Sequence, residues 1–238
     1  MRYVRDTSGR FAQRPHYKPE ELEAEADGLV RRYLARKYGS ASFPISTDDL
    51  STLIEQFVDH LDIYADLSHY GPEVEGVTEF FVGRKPNVKI ARPLGEDSRL
   101  TNRLRATLAH ELGHVHLHGF LFATDDRQGG LFSESAKAEE KVIVCKREQI
   151  AAAKEYDWME WQAWFFSGAI LMPQDEVIAE VRNFRQERGV SSDIVAASPQ
   201  AQELAGAIAT RFEISNDFAK VRLIRLNLLT TSGSASLF

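Results

Sequence analysis

His110 and His114 stand four residues apart with Glu111 between them, in a run (His110-Glu111-Leu112-Gly113-His114) that reads as helix. Four residues is about one helical turn, so both imidazoles fall on one face and can grip a single divalent ion such as Zn2+. Glu111, next to the first histidine, is placed to act on a water at that ion rather than to bind the ion itself. Thr107-Leu108-Ala109 before the run and Val115 and Leu117 after it are helix and core formers, and no proline interrupts Thr101 to His118.

Two histidines do not complete a catalytic metal site, which needs three protein ligands and an open position. Three candidates compete for the third place. His118 lies one turn beyond His114, about 6 Å further along the axis, too far for a bond near 2 Å on a straight helix. His116 points to another side. Glu160 is the lone acid near the start of a nearly continuous apolar helix running to Met172-Pro173. A carboxylate buried there needs a partner or a metal, although an exposed first-turn acid on the helix dipole explains the same pattern.

The elements around these residues follow from pattern. Pro19 opens a helix with an apolar stripe at Leu22, Ala26, Leu29, Val30, Tyr33 and Leu34, closed by Gly39. A second helix is capped by Ser46 or Thr47 and buries Leu50, Leu53, Ile54 and Phe57. Strands are expected at Ile63–Ala65, Val77–Val82 and Val88–Ala91, the last two forming a hairpin whose edge is available to an extended peptide. The motif helix is expected over 101–118, ended by Gly119, followed by a loop at 124–137. Val142–Cys145 reads equally as strand or helix. The Glu160 helix spans 157–172, and a helix pair follows at 200–212 and 217–229, with Ser215 as the cap. The sum is an α+β chain, mainly helical, with a small antiparallel sheet over the motif helix.

Composition narrows the function. The chain has 238 residues and net charge −6, which gives no general attraction to nucleic acid or anionic lipid. Residues 1–18 are the exception: five basic residues against Asp6 make a basic, extended arm, read as a frayed terminus, ahead of a single domain at 19–229 and a Ser-rich tail at 230–238. One cysteine, Cys145, excludes an internal disulfide. With a polar start and no run of 18 apolar residues, the expectation is a soluble, cytoplasmic protein with no membrane partner. In the C-terminal helix pair, Lys220, Arg222 and Arg225 suggest helix-turn-helix DNA contact, but near-balanced charge over 200–229 disfavours it.

Three stretches together resemble the ImmA/IrrE family of metallo-endopeptidases. The first is Arg103-Leu104-Arg105-Ala106-Thr107-Leu108-Ala109-His110-Glu111-Leu112-Gly113-His114, followed by Leu117-His118. The second is Glu160, Ala163, Phe166, Leu171, Met172 and Pro173. The third is the closing pattern Leu204, Ala205, Phe212, Ile214-Ser215, Arg222-Leu223 and Leu226. The likeness extends over roughly residues 20–229. It implies a zincin-like fold, His110, His114 and Glu160 as zinc ligands and Glu111 as catalytic acid/base. Mn2+ or Fe2+ also suits that donor set.

The resemblance also implies a protein substrate, a cognate helix-turn-helix repressor whose cleavage switches on mobile-element or stress-response genes in a prokaryote or phage. Two other readings stand beside it: a regulator that sequesters the repressor without cutting it, and a DNA-binding regulator. Ala106, Trp164 and Ser167 depart from the family pattern, which has Phe, Asn and Ala there, and Trp164 is expected to remove an amide hydrogen bond near the metal. His118, Tyr156 and Arg105 are eligible as donors to the oxyanion. Cys145, as thiolate, is a candidate for the open metal position.

Overall fold

The computed structural model describes residues 1–123, 141–146 and 157–231. The elements in chain order are β1 (Arg2–Arg5), β2 (Gln13–His16), α1 (Pro19–Tyr38), α2 (Thr47–Glu55), β3 (His60–Ala65), β4 (Val74–Phe80), β5 (Asn87–Ala91), α3 (Arg92–Glu96) and α4 (Thr101–Ala123). They continue with β6 (Lys141–Lys146), α5 (Trp158–Leu171), α6 (Gln174–Arg188), α7 (Pro199–Phe212) and α8 (Asn216–Arg225). The fold is α+β and mainly helical. Its four-stranded sheet has the order β3-β5-β4-β6, antiparallel except that β3 runs parallel to β5. The loop expected at 124–137 lies outside the described residues, as do residues 232–238.

Local chemistry sets the helix ends. Ser46, Ser198 and Ser215 accept from the amides of Asp49, Ala201 and Phe218, each satisfying an otherwise orphaned donor. Gly39 and Gly189 follow α1 and α6 in the left-handed conformation that a side chain resists. The main core unites the inner faces of α1, α2, α4, α5, α6, α7 and α8 with Val88 and Ile90 of β5. α6 has no counterpart among the sequence expectations; only Val177, Val181 and Phe184 of its fifteen residues are buried.

Two segments differ from expectation, and a stretch left open between strand and helix is resolved. Residues 2–16 form an antiparallel hairpin instead of a frayed arm, with Tyr3 opposite Pro15. Asp6 organises its turn by accepting from the Ser8 and Phe11 amides (2.9 and 3.0 Å), and Phe11 packs edge-on against Phe122 and Trp158. α4 passes through Gly119 to Ala123, because Leu121 and Phe122 bury against Phe80, Trp158 and Met159. The ambiguous 142–145 stretch is strand, pairing with β4. Since β5 is also paired with β3, neither strand of the β4–β5 hairpin offers a free edge, so peptide addition along that hairpin is excluded here.

α1 and α2 are locked together by Asp49. Its buried carboxylate accepts from Ser46 Oγ (2.8 Å), Tyr33 OH (3.0 Å), Tyr38 OH (3.1 Å) and Lys37 Nζ (2.6 Å). Burial alone would raise its pKa, but the bonds from Lys37, Ser46, Tyr33 and Tyr38 win and hold it below the ordinary 3.8. A lowered carboxyl pKa gives stability that is complete above 3.8 and is lost as pH falls through the folded value. Asp49→Asn is therefore expected to cost about 1–3 kcal/mol at neutral pH. Urea midpoints for the two proteins should converge as the pH is lowered below about 4.

Candidate metal centre

α4 and α5 approach each other more closely than side chains normally permit. A Cβ on Gly113 would lie 2.8 Å from Ala163 Cα and 2.9 Å from its carbonyl oxygen, so only glycine fits at this crossing. His110 and His114 flank Gly113 on one helix, and Glu160 lies one turn before Ala163 on the other. The crossing therefore sets the three side chains against each other. His110 Nε2 and His114 Nε2 are 3.0 Å apart, and each is 3.2 Å from an oxygen of Glu160.

These spacings suit an ion. Four tetrahedral donors at bonds near 2.0–2.1 Å stand about 3.3 Å from one another. His110 and His114 are completely buried and Glu160 is 5 % exposed. Among the described residues Glu160 Oε2 accepts no well-aligned hydrogen bond although His110 Nε2 is 3.2 Å away. Among the described residues, these three form a group able to hold a metal. Burial alone would raise Glu160, but His114 and His110 overcome it and hold its carboxyl far below the usual carboxylate range. For His114, burial pulls the pKa down, yet the facing Glu160 outweighs it and raises the ring above the ordinary histidine value.

Glu111 turns toward the sheet. Thr78 Oγ1 donates to its Oε2 (2.6 Å), while Oε1 is buried without a partner among the described residues. Gly76, two residues earlier on the same face of β4, leaves the space: a Cβ there would lie 2.3 Å from Oε1. Complete burial pushes the Glu111 carboxyl above its ordinary value, against the opposing pull of His114, His110 and the Thr78 hydroxyl.

The other sequence candidates are accounted for by different contacts. His118 is fully buried against His114 (Nδ1 to Nδ1, 3.2 Å) and Gln162 (3.0 Å), and burial, with His114 next to it, lowers it to about 3. His116 stacks on Phe166 and meets Glu25 (2.8 Å). Arg105 is no oxyanion donor in this structure. It is completely buried and bonds the carbonyls of Glu213 and Phe212 at the end of α7.

Trp164 packs against Phe218 and beneath Arg225, so its departure from the family pattern belongs to the α5–α8 contact. Arg222 is buried, bonding Met172 O and pairing with Glu23, and half-buried Arg225 lies over Trp164, so two of the three basic residues are engaged in packing. Tyr156 and the Cys145 side chain lie outside the described residues. Gly76, Thr78 and Gln162 escaped the sequence reading. For Thr78 and Gly76 the signal available was their i, i+2 spacing on one strand face; for Gln162 it was a polar residue inside an apolar helix.

A helix carrying two histidines and a glutamate, closed by a carboxylate from a second helix beside a small sheet, is the construction of a metallopeptidase. Residues 96–224 match the peptidase M78 family, described as the IrrE N-terminal-like domain. That is more than half of the chain, and the protein belongs to this family of ImmA/IrrE metallopeptidases. No curated protein matches the chain. No helix among the described residues is long and apolar enough to cross a membrane.

The crossing is open to test. Gly113→Ala should cost about 1–3 kcal/mol through overpacking and weaken divalent-metal binding by the three-residue group, read by thermal unfolding and calorimetric titration. Gly206→Ala on α7, where an added Cβ meets nothing within 4 Å, should be neutral or stabilising by about 0.5–1 kcal/mol and leave metal affinity unchanged.

Proposed function

We propose that the chain is a Zn2+-dependent endopeptidase in which His110, His114 and Glu160 hold the ion and Glu111 is the catalytic acid/base. The observation that carries this reading is the triangle of donor atoms at 3.0–3.2 Å, buried beside a second, differently bonded carboxyl group. A zinc ion bound there supplies Lewis acidity and a water acidic enough to attack near neutral pH. Thr78 holds one oxygen of Glu111 and fixes its rotamer, leaving Oε1 as the atom to take the proton of the attacking water. Glu111 then returns that proton to the leaving amine.

The substrate proposed is a small helix-turn-helix repressor in the cytoplasm, cut to release genes of a mobile element or a stress response. The likeness of the motif and closing segments to ImmA/IrrE regulators supports it, as does the engagement of Arg222 and Arg225 in packing, which weakens the DNA-binding alternative. The complete burial of Glu111 favours one second reading, a regulator that binds its repressor without cutting it.

One experiment separates the two. The purified protein is incubated with the repressor encoded beside it, with and without a chelator. Cleavage should require metal, and Glu111→Gln should retain metal and repressor binding while hydrolysis falls by about 10²-fold or more. A Glu111→Gln protein that still relieves repression in full would establish sequestration and sink the enzymatic reading.

A further inference from the structure

A histidine offers Nε2 to a metal only when that atom carries no proton, and in a buried site the group bonded to Nδ1 decides this. For His110, Nδ1 has no partner among the described residues. His114 differs, being the first member of a chain of buried contacts. Its Nδ1 lies 3.2 Å from His118 Nδ1, His118 Nε2 lies 3.0 Å from Gln162 Oε1, and Gln162 Nε2 donates to the carbonyl of Pro15 (2.9 Å). Gln162 is 1 % exposed and His118 fully buried, so neither can turn to water instead.

The far end of this chain has a fixed direction. A backbone carbonyl only accepts, so the Gln162 atom facing Pro15 must be the NH2 group. The amide oxygen then faces His118, which must donate from Nε2. A neutral His118 therefore presents a lone pair at Nδ1, and His114 must donate to it from its own Nδ1. What remains at His114 Nε2, opposite Glu160 and His110, is the position free to bind an ion.

We infer that Gln162 is a positioning residue which, oriented by the Pro15 carbonyl of the N-terminal hairpin and acting through His118, fixes the His114 tautomer with its proton on Nδ1 and Nε2 open to the metal. This rests on the metal centre proposed above. Trp158, edge-on to His118 at 5.4 Å, holds the intermediate ring in place.

The test uses the full-length, metal-free protein with ¹⁵N-labelled histidine, at a pH where both rings are neutral, together with zinc competition against a chromogenic chelator. Long-range ¹H–¹⁵N spectra of the wild type should show His114 protonated on Nδ1 and His118 on Nε2. Gln162→Met keeps the volume but removes the acceptor; mixed tautomers and zinc affinity about 10–100-fold weaker are expected. Gln162→Glu is isosteric, and its carboxyl, held protonated by the facing Pro15 carbonyl, donates there and accepts from His118 Nε2, so it should restore both. A side chain that merely fills space would change melting temperature without moving the tautomers.

Wild-type His114 protonated on Nε2 overturns the proposal whether or not the variants fold. Zinc binding equal in the wild type and Gln162→Met overturns it while leaving the metal centre intact. A wild type that binds no zinc removes the metal centre itself, and this inference with it.

Discussion

The van der Waals contact between the backbones of α4 and α5 at Gly113 and Ala163 governs the rest of the structure. With no side chain on Gly113 to hold them apart, the helices come close enough for residues within one turn of the contact to meet: His110 and His114 from one, Glu160 from the other. Had either helix carried a larger residue there, the same three donors would face one another across a gap too wide for a single ion. Burying a carboxylate at 5 % exposure is costly, and the two imidazoles that it faces offset that cost. The donor set is thus assembled by apolar packing before any ion is considered.

The sheet has a narrower task. β4 lies against α4 and shows it alternating residues of one face, Gly76 and Thr78, of which the first leaves room and the second donates a bond. Both act on Glu111, and Gly76 also leaves room for Thr107. The opposite side of the strand contributes Val77 to a small apolar cluster with Ala65, Leu67 and Val74, which anchors it. One carboxyl group is therefore held by the helix crossing and the other by a strand. The two differ in pKa direction: for Glu160 burial is outweighed by the imidazoles at 3.2 Å, while for the completely buried Glu111 desolvation outweighs the pull of the same two rings and of the Thr78 hydroxyl.

Much of this was written plainly in the chain. His110, Glu111 and His114 declare a helix face by spacing alone, Ser46 and Ser215 cap where their type predicts, and Glu160 stands out as an acid in an apolar run. The β4–β5 hairpin, with Pro86 in its connection, was equally legible. Other features had no signature to read. The Pro15 carbonyl that orients Gln162 is a backbone atom, which every residue carries. Arg105 looks like a free cation until its partners, the carbonyls ending α7, arrive from more than a hundred residues away. α6 has a weak signature because its three buried apolar residues, among many charged ones, make a thin stripe. Gly119 suggested a stop, and the aromatic packing beyond it carried the helix on.

The fixed separation of α4 and α5 has a bearing on ion selectivity. Histidine and carboxylate donors alone discriminate poorly among divalent cations. Here the distance between donors is imposed by two backbones already in contact, so it works as a caliper. An ion with bonds near 2.0–2.1 Å fits between the jaws as they stand. A calcium ion, with bonds of about 2.3–2.6 Å, would have to spread both helices and the core packed behind them. At the proposed metal centre, size exclusion by main-chain packing would thus supply a preference that the ligand chemistry cannot.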